Sequence, residues 1–306
     1  MRVELLVLTA ELTLNLILTV IAVAVTKIAT ATRKNNQYFM PHSAYGGGAV
    51  FIFVCSTLRR CVMALTELKL EYEIASENKK GIPVIIAAAG SSSRMAGVNK
   101  QFADLCGIPV IIRTLLAFQR SDAISRIIVV TSKDSINEIQ LLCSKYMIDK
   151  LTDILEGGAN RAESVKKGVA RLGEEGYVLI HDGARPLISD EVICRVADAL
   201  KTNCAVTCAV PLKDTVKKVD RNGVVIETPI REELVAVQTP QGVDVKKYKE
   251  ALDKADDLSV FTDDMSVMEW AGFSVATVKG DYKNIKITTP EDIIIASALL
   301  ESEEEE

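Results

Sequence analysis

The sequence predicts an α/β fold in which a mostly parallel sheet is covered on both faces by helices. Two observations carry this. From residue 82 onward, short runs rich in Val and Ile alternate with helical stretches, the pattern of parallel strands joined by helical crossovers. The chain is also long enough, at 306 residues of which 48% are hydrophobic, to bury a full core.

Residues 83–88 read as the first strand and 108–119 as the first helix. A strand at 126–131, a helix at 135–145, a strand at 153–156 and a helix at 162–172 continue the alternation. So do a strand at 177–181, a helix at 190–200 and a strand at 205–210. The beat changes at Pro211. Residues 215–219, Asp220-Arg221-Asn222-Gly223 and 224–227 read as a β-hairpin with an Asn-Gly turn, polar on one face. Inserted in an α/β pattern, it predicts an arm at about 211–233 that packs elsewhere. A strand at 234–238, helices at 244–254 and 263–270, strands at 273–278 and 285–288 and a last helix at 290–300 follow. Thr289-Pro290-Glu291-Asp292 is a helix start, with Thr at the N-cap, Pro at the first helical position and acids in the first turn. The tail from Glu301 reads as a solvated, frayed end.

Net charge is −5, which argues against general nucleic-acid binding. His42 and His181 are the only histidines, so a multi-histidine metal site is excluded and any metal must sit on oxygen ligands. The seven cysteines form no C-x-x-C pair, and most sit in apolar runs such as Cys204-Ala205-Val206-Thr207-Cys208. They read as reduced core thiols of a cytoplasmic protein rather than a disulfide framework. Charge is uneven: residues 1–62 hold six basic and two acidic groups, the remainder 30 and 39. That step separates an apolar, basic extension and linker over 1–80 from a working domain over 81–306. Residues 5–26 are apolar and long enough to span a bilayer, but Glu11 and Asn15 interrupt them and Glu4 offsets Arg2. A second apolar run, 49–57, follows Gly46-Gly47-Gly48. A membrane anchor, a core-packing helix and an extension outside the working domain compete. The last is favoured, with Met63 as an alternative start and membrane contact by residues 5–26 second.

The strongest local feature is Val84-Ile85-Ile86-Ala87-Ala88-Ala89-Gly90-Ser91-Ser92-Ser93-Arg94-Met95, with Lys100-Gln101 shortly after. A buried strand ends in small residues that let a phosphate approach the backbone; loop N–H groups bind anions, and Arg94 and Lys100 neutralise charge. It is neither a Walker A loop nor the dinucleotide G-x-G-x-x-G. Taken alone, a phosphate loop and a Ser-rich turn with incidental surface cations are level.

Further motifs break the tie. They are Gly157-Gly158-Ala159-Asn160-Arg161-Ala162-Glu163-Ser164-Val165, His181-Asp182-Gly183-Ala184-Arg185-Pro186, Pro211-Leu212-Lys213-Asp214-Thr215 and Gln238-Thr239-Pro240-Gln241, then Thr262-Asp263-Asp264 and Asn284-Ile285-Lys286-Ile287-Thr288. The set, in this order, resembles the sugar-phosphate nucleotidyltransferases and, among them, the 2-C-methyl-D-erythritol 4-phosphate cytidylyltransferase family of isoprenoid biosynthesis. The likeness runs from about residue 82 to 300.

The resemblance implies a Rossmann-like three-layer α/β/α nucleotidyltransferase fold, CTP as co-substrate, a polyol phosphate as acceptor and Mg²⁺ as cofactor. It makes Arg94 and Lys100 catalytic. It assigns Ala88, Ala89, Gly90, Ser92, Gly158 and Ser164 to the nucleotide, and Arg185, Thr215, Arg231, Thr239, Thr262 and Lys286 to the acceptor. Asp182, at a strand end where open α/β sheets bind ligands, becomes the metal ligand, against a plainer reading as a turn cap. His181 reads as a packed strand-end residue rather than a base. A lone Lys is usually a solvated charge, but Lys286 stands between two isoleucines. The family implies a homodimer whose hairpin arm brings Thr215 and Arg231 to the partner's site.

The chain departs from the family pattern in four places. Ser92 replaces a Gly, Arg94 and Lys100 stand one residue closer together, Val235 stands where Trp is common, and Ala159 where Asp occurs. Two rivals remain: a ribitol-5-phosphate cytidylyltransferase, and a catalytically inactive, membrane-tethered binding module.

Overall fold

The computed structural model describes residues 81–90 and 99–304. The runs at 5–26 and 49–57, Met63, and the site candidates Ser92 and Arg94 lie outside the described residues.

Strand β1 (Ile82–Ala88) opens the domain. A small hairpin, β2 (Asp104–Leu105) and β3 (Ile108–Pro109), turns through Cys106 and Gly107, both at positive φ, and the Asp104 carboxylate accepts the Gly107 N–H at 3.1 Å. Then come α1 (Val110–Arg120), β4 (Ile124–Thr131), α2 (Ile136–Lys145), β5 (Leu151–Glu156), α3 (Arg161–Val169), β6 (Tyr177–Asp182), α4 (Asp190–Ala199) and β7 (Ala205–Pro211). The arm carries β8 (Lys218–Val219) and β9 (Val225–Glu227). Next are β10 (Val235–Asp244), α5 (Val245–Lys254), α6 (Asp264–Trp270), β11 (Ala276–Lys279) and α7 (Pro290–Glu304).

Seven strands form one sheet in the order β11-β7-β10-β6-β1-β4-β5. Strand β10 runs antiparallel to both its neighbours, and every other pair in the sheet is parallel. Alternation along β1 sends Val84, Ile86 and Ala88 to one face, packed with Ile111, Leu115 and Phe118 of α1 and Val192 and Val196 of α4. Ile85 faces the other way, with Val165 and Val169 of α3, Tyr248 and Leu252 of α5 and Met265 and Met268 of α6. Two apolar layers on opposite faces make the three-layer fold.

Three expectations need correction. The helix expected from Ile108 begins at Val110, because Ile108 pairs with Leu105 in the small hairpin. The strand expected at 234–238 continues to Asp244, carried through a cis Thr239–Pro240 bond. The strand expected at 285–288 does not form. Its alternation is real, since Ile287 is buried and Lys286 half-exposed, but Ile287 N–H to Ala184 C=O, at 2.8 Å, is an isolated bond and not part of a ladder. The last helix starts at Pro290 as expected, where Asp292 accepts the N–H groups of Thr288 and Thr289 at 2.7 and 2.8 Å. The arm hairpin forms, with Gly223 N–H donating to Asp220 C=O at 3.1 Å in its turn.

Five described cysteines are free thiols. Burial pushes Cys143 and Cys208 up to about 12, so both stay protonated, as core thiols should. Cys106 departs from that expectation and is exposed.

Candidate active site

In the sheet, β1 is flanked by β4 on one side and β6 on the other, so the direction of winding reverses at β1. Ligands bind beyond the C-terminal strand ends at such a point. There Ala87 stands in register with Asp182, and Gly183 N–H donates to Ala87 C=O at 2.9 Å. Ala88 is buried, Ala89 is half-buried, and Gly90 is exposed, with no described residue placed to crowd a Cβ there.

The Gly157-Gly158 turn lies beside this edge. A Cβ on Gly157 would stand 2.5 Å from the Ala89 Cβ, and one on Gly158 would stand 2.4 Å from the Glu163 Cβ, so neither tolerates a side chain. Ser164 is buried. Its hydroxyl accepts the Gly158 N–H at 2.9 Å and donates to Asn160 C=O at 2.8 Å. It therefore shapes the turn from within. Asn160 caps α3, its side chain accepting the Glu163 N–H at 2.9 Å, while Glu163 accepts the Ala159 N–H at 2.9 Å.

Asp182 is the hub. Lys286 Nζ stands 2.8 Å from its Oδ2, Arg185 Nε 3.7 Å from the same oxygen, and Arg161 Nε 3.3 Å from its Oδ1. Burial alone would raise this carboxyl, but Arg161, Lys286 and Arg185 outweigh it and hold Asp182 below the ordinary carboxylate range. Two carboxylates, Asp182 and the Asp264 that also pairs with Arg161, against three cations leave a positive surplus of one, and Lys286, 39% exposed, offers it to solvent. Such a cluster suits a phosphate.

Its supports are equally specific. Arg185 Nη1 donates to Asn284 C=O at 2.7 Å, and burial lowers its pKa. The buried Asn284 donates to Thr239 C=O at 2.8 Å, and the Gln238 amide donates to Asp281 C=O at 2.7 Å. These bonds, rather than a strand ladder, fix the segment that carries Lys286.

Thr239 is buried, and its hydroxyl accepts the Asp182 N–H at 3.1 Å. His181 Nε2 faces Arg185 C=O at 3.2 Å; a carbonyl only accepts, so Nε2 carries the proton, and the Thr239 hydroxyl donates to Nδ1 at 3.0 Å. The Thr239 hydroxyl thus positions the strand end within the chain. Burial, with Phe118 packed edge-on at 4.8 Å, lowers the His181 pKa to about 3. An unfolded histidine titrates near 6.5, so below that pH the unfolded chain gains a proton the folded chain refuses. The stabilisation is complete above pH ~6.5 and is lost as pH falls toward 3, by up to roughly 1.4 kcal/mol per pH unit. Melting temperatures measured from pH 7.5 to 4.5 should fall accordingly, and His181→Asn should flatten that slope. A wild-type curve level across this range would contradict the assignment.

The remaining candidates come from other segments. Thr262 is exposed, just ahead of the Asp263–Ser266 capping box of α6. Thr215 and Arg231 are exposed on the arm, where Arg231 Nη1 donates to Lys213 C=O at 3.2 Å; neither hydrogen-bonds the Asp182 cluster within this chain. Lys100 is half-buried in the turn ahead of β2.

Both Asp182 oxygens face cations, and no group of three potential metal ligands exists among the described residues. Within this chain the Asp182 carboxylate gathers Arg161, Arg185 and Lys286.

The sequence model of 2-C-methyl-D-erythritol 4-phosphate cytidylyltransferase matches residues 82–302. The chain belongs to that family. A cytidylyltransferase of this name from Halalkalibacterium halodurans is 46% identical over 224 residues, covering 72% of this chain and 97% of the relative. That of Bacillus mycoides is 43% identical, over 71% of this chain and 96% of its own. Among solved structures, the 4-diphosphocytidyl-2C-methyl-D-erythritol synthase of Anaerococcus prevotii superposes with a TM-score of 0.65 at 35% identity, covering 74% of this chain and 99% of that one. The Thermus thermophilus cytidylyltransferase superposes with a TM-score of 0.60 at 28% identity, over 72% and 99%.

Arg161, Asp264 and Asn284 stand inside the family motifs with no role assigned to them there, and Tyr248 stands outside all of them. The signal for Arg161 was its place immediately after an Asn cap and a Gly-Gly turn, where a cation meets the strand ends. Tyr248 gave none, because a tyrosine in an amphipathic helix reads as core.

Proposed function

We propose that this chain transfers CMP from CTP to 2-C-methyl-D-erythritol 4-phosphate. An acceptor phosphate oxygen attacks the α-phosphorus in line, the bond from the α-phosphorus to the bridging oxygen breaks, and pyrophosphate leaves with that oxygen. The observation that carries this is the convergence of Arg161, Arg185 and Lys286 on Asp182 beside the Gly157-Gly158 turn in a member of this family. A phosphate nucleophile is already ionised at neutral pH, so no general base is required. His181, neutral and internally bonded, supports that economy. Catalysis then rests on positioning and charge neutralisation. Arg94 and Lys100 act on the α-phosphate and leaving group; Arg185, Lys286 and Thr262 hold the acceptor. Asp182 would hold Mg²⁺, which would supply further charge neutralisation for the triphosphate. Pyrophosphate release from CTP with methylerythritol phosphate, and with ribitol 5-phosphate alongside, tests the reading. Preference for ribitol phosphate, or release with neither, would overturn it.

The arm supports a homodimer. Val219, Val224, Val225, Ile226 and Ile230 are all exposed on it, apolar side chains that a second copy would cover. Thr215 and Arg231 then act across the interface. The domain boundary at residue 80 is supported by residues 78–306 forming a compact unit of their own and by relatives that align over nearly their whole length with about 72% of this chain. Among the described residues no helix is long and apolar enough to cross a membrane. Deleting residues 1–62 should leave turnover and the dimeric state unchanged, measured by initial rates and sedimentation. A well-folded truncated chain with much lower turnover would refute the extension's independence.

A further inference from the structure

We propose that Tyr248 and Asp264 are positioning residues that restrain Arg161, so that Lys286 and Arg185 remain available to the acceptor phosphate; this rests on the function proposed above. The Arg161 guanidinium lies between two carboxylates. Its Nη2 donates to Asp264 Oδ2 at 2.8 Å, its Nε to Asp182 Oδ1 at 3.3 Å. The tighter bond goes to Asp264, which is buried and lies at the start of α6, away from the strand end. Asp264 cannot turn. Its Oδ1 accepts the Tyr248 hydroxyl at 2.7 Å, and its N–H donates to Gln241 Oε1 at 2.9 Å. Gln241 is itself fixed, donating to Asp263 Oδ2 at 2.7 Å and to Thr207 Oγ1 at 3.3 Å. Burial and the adjacent Asp264 raise the Tyr248 pKa, so the phenol keeps the proton it donates.

The consequence for Asp182 follows from guanidinium geometry. An unrestrained Arg beside a carboxylate takes both oxygens through its planar fork. With Nη2 held by Asp264, Arg161 offers Asp182 only Nε, and Oδ2 is left to Lys286 at 2.8 Å. Release of Arg161 would let it claim both oxygens and displace Lys286 from its fixed position. Tyr248, in the helix layer beneath the sheet, thereby bears on an ammonium it does not touch.

Full-length wild type, Tyr248→Phe and Asp264→Asn are compared by calorimetric titration with methylerythritol phosphate and, separately, with CTP. Tyr248→Phe keeps the buried ring and loses only the hydroxyl. Acceptor affinity should fall about tenfold in each variant, the scale of one hydrogen bond to a charged group, with CTP affinity unchanged. Lys249→Met on the same helix breaks an ion pair with Glu174 far from the hub and should bind both ligands as wild type does. Acceptor affinity unchanged in Tyr248→Phe would overturn the inference even with turnover intact, and so would a parallel loss of both affinities or an equal loss in Lys249→Met. A wild type that binds the acceptor but does not turn over would fail the proposed function and leave this inference standing. A wild type that does not bind it would overturn both.

Discussion

Lys100→Ala should lower turnover about 10²–10³-fold, the cost of losing one preorganised group at the point of developing charge, and leave the fold intact. The backbone that carries Lys100 is pinned on both sides. The Asn99 side chain accepts the Gln101 N–H at 3.1 Å and Asn99 C=O accepts the Phe102 N–H at 2.9 Å. Gln101 is buried, and its carbonyl accepts the Ile111 N–H at 2.9 Å at the start of α1. An ammonium on so fixed a base needs no reorganisation when charge moves to the leaving group. Because those bonds are made by the backbone and by neighbouring side chains, Ala at position 100 preserves them. Initial rates with saturating CTP check the prediction, and turnover near wild type would remove Lys100 from the machinery.

Asp182→Asn should reduce both stability and turnover. The amide keeps the shape but leaves Arg161, Arg185 and Lys286 facing one another without the carboxylate that gathers them. Breaking a buried pair costs roughly 3 kcal/mol, the low end of the usual range because Lys286 is partly screened by water. For a domain of this size that is about 6–12 °C in melting temperature. Turnover should fall about 10²-fold as the phosphate-binding cations lose register. With Asp182 as the proposed Mg²⁺ ligand, the Mg²⁺ concentration for half-maximal activity should rise in the variant, and an unchanged Mg²⁺ titration would count against that role. The carboxyl is held below the ordinary range, so its contribution is present above the unfolded carboxyl pKa near 4 and fades only as pH falls below it.

The two predictions differ in how far the sequence could support them. Lys100 was readable because a cation after a small-residue loop is a local pattern. Asp182 is legible as a site residue, being an acid at the end of a buried strand, but its ion-pair partners are not. Which charges surround it depends on residues 21 positions upstream in Arg161 and 104 downstream in Lys286, brought together by folding. Thr239 shows the same limit. Its motif marked the position, but only the antiparallel placement of β10 against β6 directs its hydroxyl to His181 and Asp182.

The sequence by itself determined the layers and the family. Strand and helix periodicity are local, so β1, β4, β6, β7 and their helices stand within a few residues of where the pattern puts them. The arm's Asn-Gly turn and the Thr289-Pro290 helix start were equally local. Tertiary structure decided what depends on distant partners. The segment at 285–288 has the alternation of a strand but stays out of the sheet: Ile287 N–H goes to Ala184 C=O, and the Asn284 carbonyl just ahead of it is held by Arg185 and Gln238. Strand β10 reverses direction, which no periodicity encodes, since side chains alternate alike in either sense. The Tyr248–Asp264–Arg161 chain joins three helices through side-chain tips, and its members reveal themselves only when burial forces each polar atom to find a partner.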